Sequence, residues 1–168
     1  LSVLFVATIA GFLVIRTRLE AWLPKGTPSF PLGLWFSTAV LLISSLTIYL
    51  SLRVLNRGRT RAFKGFILLT LFLGFAFLGL QVFNWAQLTR LGVTAKSHLF
   101  GFMFYVLTVL HAGHVLGGLV PLGVVARNAF RGVYTSTFHP GLTYTSIYWH
   151  FLDVVWLIIF TLLFISWP

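Results

Sequence analysis

Only two acidic residues occur among the 168 of this chain, Glu20 and Asp153. Asp153 stands one helical turn after His150 in YWHFLDVVW, Tyr148 to Trp156. An ionisable pair inside so apolar a run is costly to keep, and marks either a site or a buried polar joint. A second pair, His111 and His114, is spaced i, i+3 in HAGHVLGGL (111–119), so both imidazoles share one helix face. Three chemistries fit these residues. Haem ligation, as in a haem-b-binding membrane anchor, needs histidines on facing helices at matched depth, which His114 and His150 permit. Such a pocket has no use for a carboxylate one turn from the ligand. Proton or ion conduction uses a membrane carboxylate beside histidine, but no second intramembrane carboxylate is present to receive the proton. The third is a hydrogen-bonded joint fixing two helices, the usual role of buried polar groups. That third reading is favoured.

The elements that must position these groups are membrane helices. The chain is 58% hydrophobic and 8% charged, with a mean hydropathy of +0.97, against about a quarter charged residues in a soluble domain. Cysteine is absent, which excludes disulfides, thiolate metal sites and iron–sulfur clusters within these residues. Twelve Lys and Arg give a net charge of +10. They sit in short loops between apolar runs, the pattern of topology signals and lipid-headgroup contacts rather than of nucleic-acid binding.

Five apolar runs predict an all-α bundle of five transmembrane helices in a single domain: residues 1–15, 32–52, 65–88, 97–126 and 142–167. The first is short against the ~20 residues a span needs, which suggests an N-terminus upstream of Leu1. Run two carries Ser37, Thr38, Ser44, Ser45, Thr47 and Ser51, whose hydroxyls can bond helix carbonyls or a neighbouring helix. Run three has Gly74 and Gly79 for close packing, and Gln81, Asn84 and Gln87 roughly on one face. In run four Gly113 and Gly117 form a small-xxx-small pair that predicts close approach of another helix. If runs four and five are antiparallel, His114, His150 and Asp153 reach similar depth and form one cluster. His98 and His139, at a span end and in a loop, read as solvated. The six Trp and eighteen Phe read mostly as lipid-facing or interfacial. Seven Lys/Arg in loops two and four against five in the others favour a cytoplasmic N-terminus.

HAGHVLGGL at 111–119 followed by YWHFLDVVW at 148–156 resembles subunit III of the haem–copper terminal oxidases. Two more stretches share the likeness: Pro31 to Thr47 in run two, and LGLQVFNW, Leu78 to Trp85, ending run three. The resemblance covers residues 31–168 in order and spacing. It implies a non-catalytic chain without cofactor of its own, haems and copper being held by partner subunits I and II. It implies direct packing on subunit I, bound phospholipid, and support of assembly, stability and proton uptake in an aerobic respiratory, proton-pumping complex. A further small subunit, and a supercomplex with a quinol-oxidising complex, extend the implied partners. A bacterial inner (plasma) membrane is implied ahead of the mitochondrial one, and an accessory subunit of a nitric-oxide reductase is the near alternative. On this reading His111, His114, His150, Asp153, Trp149, Trp156, Gly113 and Gly117 form a structural polar cluster between the last two helices, facing lipid or a subunit.

The sequence departs from the family's pattern in three places. Longer members have seven helices, so one wall of the family's lipid cleft is missing from these five runs. The membrane-embedded Glu usual in the first retained helix is absent from Leu1 to Ile15. A Glu common near the end of run three is Asn84 here. The latter two weaken a proton relay within this chain.

Overall fold

The computed structural model describes residues 2–18 and 29–167, all helix and short connections. Glu20, Trp22 and Lys25 lie outside the described residues. Five helices follow in order: α1 Ser2–Arg18, α2 Leu32–Asn56, α3 Thr60–Arg90, α4 Leu99–Phe130 and α5 Pro140–Ser166. The last four are long and apolar enough to cross a membrane. With 17 residues, α1 extends about 25 Å at ~1.5 Å per residue, short of a ~30 Å hydrocarbon core. Four spanning candidates and one shorter helix are therefore described where the apolar runs predict five spans.

Helices α2 and α4 each run four residues past the end of their apolar runs and α3 two, because their last turns are closed by local devices rather than by hydropathy. Gly58, Gly92 and Gly132 each sit two residues past a helix end, with φ of 72°, 81° and 73°. Beyond each, the chain turns back with the paired bonds of a Schellman motif: Gly58 N–H to Leu55 O and Arg59 N–H to Val54 O, repeated at Gly92/Val93 and Gly132/Val133. Only glycine takes that left-handed conformation without a Cβ penalty. At the start of α4 the imidazole of His98 is the N-cap, its Nδ1 accepting the Gly101 N–H at 2.9 Å. The histidine read as solvated thus has a structural task.

The four long helices close a ring in which α2 touches α3 and α5, and α4 touches the same two. The backbones do not approach across either diagonal, where α3 and α5 meet through side chains such as Phe77 and Trp156, and α1 lies outside, against α4 and α5. Partners pack antiparallel. Thr47 meets Thr70 and Ser37 meets Gln81 across α2/α3, while Thr38 meets Trp156 and Ser45 meets His150 across α2/α5.

Polarity runs opposite to that of a soluble bundle. Ser37, Ser44, Ser51, Thr70, Gln81, Asn84, Thr108 and His111 are fully buried, whereas Leu42, Ile43, Phe72, Phe75, Val82, Phe83 and Ile165 are exposed. Where the surroundings are hydrocarbon, burying more apolar surface gains little, and close packing with hydrogen bonds must hold helices together.

Close packing falls on particular glycines. A Cβ on Gly74 would meet Leu119 at 2.7 Å and Trp149 at 2.9 Å, and one on Gly118 would meet Tyr148 at 2.9 Å. Gly79, Gly113 and Gly117 instead have open space where a Cβ would stand. The pair at 113 and 117 points away from the described helices, because the buried face of α4 passes through His111, Val115, Gly118 and Leu122. Gly74→Val should accordingly destabilise the bundle by about 1–3 kcal/mol, while Gly113→Ala should be neutral or slightly stabilising. Thermal unfolding in detergent or nanodiscs ranks the two, and equal losses would contradict the packing described. At the α4 cap, His98→Ala should cost about 1 kcal/mol and His98→Asn much less, read by the same assay.

Candidate functional site: an interhelical polar seam

The chemistry-bearing residues converge on α2. Its small polar side chains recur every three or four residues, so Ser37, Thr38, Ser44, Thr47 and Ser51 line its buried side. Each hydroxyl proton is directed to the helix's own backbone: Ser37 to Leu34 O (3.0 Å), Thr38 to Leu34 O (2.8 Å), Ser44 to Leu41 O (2.7 Å) and Ser51 to Ile48 O (2.6 Å). The hydroxyl oxygens remain as acceptors, since a hydroxyl has one proton and two lone pairs.

Neighbouring helices supply the donors. Trp149 Nε1–H donates to Ser44 Oγ and Trp156 Nε1–H to Thr38 Oγ1, both at 3.0 Å. Gln81 Nε2–H donates to Ser37 Oγ at 3.1 Å. The arrangement recurs between α3 and α4, where Trp85 Nε1–H donates to Thr108 Oγ1 (3.1 Å) while Thr108 bonds Phe104 O. Trp149 and Trp156 are therefore buried joints rather than lipid-facing belts: an indole inside a membrane bundle needs an acceptor for its N–H, and α2 provides one.

His150 and Asp153 occupy the edge of this seam. His150 Nδ1 lies 2.7 Å from Ser45 Oγ of α2 and 3.7 Å from Asp153 Oδ2. The side chains differ sharply in exposure, 40% for His150 and 6% for Asp153. The imidazole thus opens onto the outside of the α2/α5 junction with the carboxyl behind it. At 3.7 Å the pair has ion-pair spacing but is too long for a hydrogen bond.

The other histidines have different neighbours. His114 Nδ1 is 2.8 Å from the Leu110 carbonyl, and because a carbonyl only accepts, Nδ1 must carry the proton. Its ring packs at 4.7 Å on Phe5 of α1. His111 is fully buried, 5.0 Å from the Trp156 ring and 5.8 Å from Phe77. The single cluster of His114, His150 and Asp153 anticipated between α4 and α5 is thereby divided. His150 and Asp153 join α5 to α2, and His114 belongs to the α1/α4 contact. The α4/α5 link near it is Tyr148 O–H donating to the His114 carbonyl at 3.2 Å. Depth matching along antiparallel helices gave the right level but not the right neighbour, because it says nothing about azimuth. Ser45 went unselected as the partner of His150. Its only signal was membership of the serine and threonine series of α2.

The described residues contain no group of three or more His, Asp or Glu that could hold a metal ion. Facing imidazoles for a haem are not what the ring contacts of His114 and His150 produce. The arrangement does one thing well: it locks helix pairs through hydroxyls used from both sides. Thr38→Val and Ser45→Ala should each lower stability by about 1 kcal/mol. The two sites lie two helical turns apart, so the double variant should show the sum within about 0.5 kcal/mol. Denaturation in nanodiscs measures this, and strong non-additivity would mean that the seam is one coupled network.

Comparison with known proteins gives the seam a context. The sequence model of a family described as Cytochrome c oxidase subunit III matches residues 2–168. The chain is 34% identical to Cytochrome c oxidase subunit 3 of Thermostichus vulcanus, over 98% of this chain and 81% of that protein. It is 37% identical to Cytochrome c oxidase subunit 3 of Bacillus subtilis (strain 168), over 98% and 80%. With Cytochrome bo(3) ubiquinol oxidase subunit 3 of Buchnera aphidicola it shares 28% identity over 79% and 70%. With its long apolar helices and a match over nearly its whole described length, the chain belongs to the cytochrome c oxidase subunit III family, the third subunit of the haem–copper oxidases.

Proposed function

We propose that the chain is a non-catalytic, five-span subunit III of a proton-pumping haem–copper terminal oxidase in an aerobic bacterial inner membrane. In this reading it packs directly on the subunit that holds the haems and copper. It stabilises that subunit during turnover, binds phospholipid and supports proton uptake. The observation that carries it is the seam itself. The polar side chains of α2 and the indoles facing them are engaged with each other, as suits a scaffold. The outward opening of His150 gives this apolar surface a polar point for a partner subunit or lipid to meet.

Orientation follows from the loops. The end with the α2–α3 and α4–α5 turns carries Arg53, Arg57, Arg59, Arg61, Lys64, Arg127 and Arg131. By sequence, the connections after the first and third apolar runs carry Arg16, Arg18, Lys25, Arg90 and Lys96. Seven against five favours the cytoplasmic side for the first end, and with it for the start of α1.

Purification from the native membrane should bring down a haem–copper subunit and its electron-donor subunit with this chain. The identity of the donor subunit decides between cytochrome c and quinol. The separated chain should show no Soret band of its own; finding one would replace this reading with that of a haem-b anchor. Asp153→Ala and His150→Ala should reduce the yield of assembled complex more than the turnover of what assembles. Normal assembly with abolished oxygen consumption would instead make the pair part of the reaction.

A further inference from the structure

We propose that the bundle core holds a bound-water site between α2, α3 and α4, formed by Gln81, Asn84 and His111. All three side chains are fully buried. Five of their polar atoms find no hydrogen-bond partner among the described residues: Gln81 Oε1, Asn84 Oδ1 and Nδ2, and both ring nitrogens of His111.

Helix register brings the three residues to one level of the core. Gln81 and Asn84 lie one turn apart on the buried face of α3. Trp85 reaches Thr108 on one side of them, and a Cβ on Gly74 would touch Leu119 on the other. Antiparallel helices held at those two points bring Gln81 level with His111 and Ala112. The ring of Phe77, one turn before Gln81, is 5.8 Å from the His111 ring. From α2, Gly33 faces the Asn84 amide so closely that a Cβ there would overlap Asn84 Oδ1. The missing side chain at Gly33 makes room for the amide.

Nearby donors are already committed. The Trp156 indole N–H goes to Thr38, the Ser37 hydroxyl proton to Leu34 O, and Gln81 Nε2 to Ser37. The ligand must then match what remains. Gln81 Oε1 and Asn84 Oδ1 accept, Asn84 Nδ2 donates twice, and a neutral imidazole does one of each. This mixed set contains no carboxylate. It suits water, which donates and accepts equally, and not a cation, which the amide and imidazole N–H groups would repel. A buried polar group left unsatisfied costs about 1–3 kcal/mol, whereas one buried water typically makes about three hydrogen bonds. One or two waters would satisfy the set.

The test is a cryo-electron microscopy map of the chain in its native complex, at a resolution that shows ordered water. Density is expected within hydrogen-bond distance of at least two of Gln81 Oε1, Asn84 and His111. Direct hydrogen bonds among the three side chains, or no density between them, would overturn the proposal. Solid-state NMR on histidine-labelled protein is a second readout. A water-to-imidazole polarisation transfer at His111, assigned by its loss in His111→Phe, supports the site; a dry His111 signal refutes it.

Discussion

Everything in this bundle depends on the absence of a hydrophobic drive between helices that are already in an apolar medium. With lipid outside, leucine on leucine gains little beyond dispersion, and hydrogen bonds between helices must supply both cohesion and register. The hydroxyl side chains of α2 meet this requirement economically. Ser37, Thr38 and Ser44 each give their proton to a carbonyl of their own helix and offer their oxygen to an amide or indole of the next. In these pairs no donor is carried into the core without an acceptor.

The ring of four helices follows from this. Because α2 bonds α3 on one flank and α5 on the other, it sets the level of both. Trp85 with Thr108, and Tyr148 with the His114 carbonyl, then close α4 against α3 and α5. Glycines take part where a bulky ring must come near: Gly74 under Trp149 and Leu119, Gly118 under Tyr148 and Trp149, Gly33 against Asn84. The pair at 113 and 117 follows the small-xxx-small rule in sequence yet faces outward, a reminder that spacing identifies a face without saying what that face meets.

The same logic separates the ionisable residues. Asp153 sits behind His150 and Ser45 at an outer junction, and His111 sits in the interior between Phe77 and Trp156. The imidazole of His150 opens outward from the bundle, while His111 is fully buried. Neither arrangement resembles a pair of ligands converging on a prosthetic group.

Much was legible without coordinates. Helix class, the order of the runs, the family likeness carried by HAGHVLGGL and YWHFLDVVW, and the importance of the α2 hydroxyls all follow from residue type and period, because the bilayer enforces helix wherever apolar runs are long. Helix ends were less legible, since Schellman turns at Gly58, Gly92 and Gly132 and the His98 cap act beyond the apolar runs. Whether α1 is long enough to span was also left to the fold. What only the tertiary structure decided was azimuth. Periodicity groups His150 with Asp153 on one side of a helix, but which helix stands opposite depends on how five cylinders close around one another. That closure turned a predicted clasp between the last two helices into a joint from α5 to Ser45 of α2.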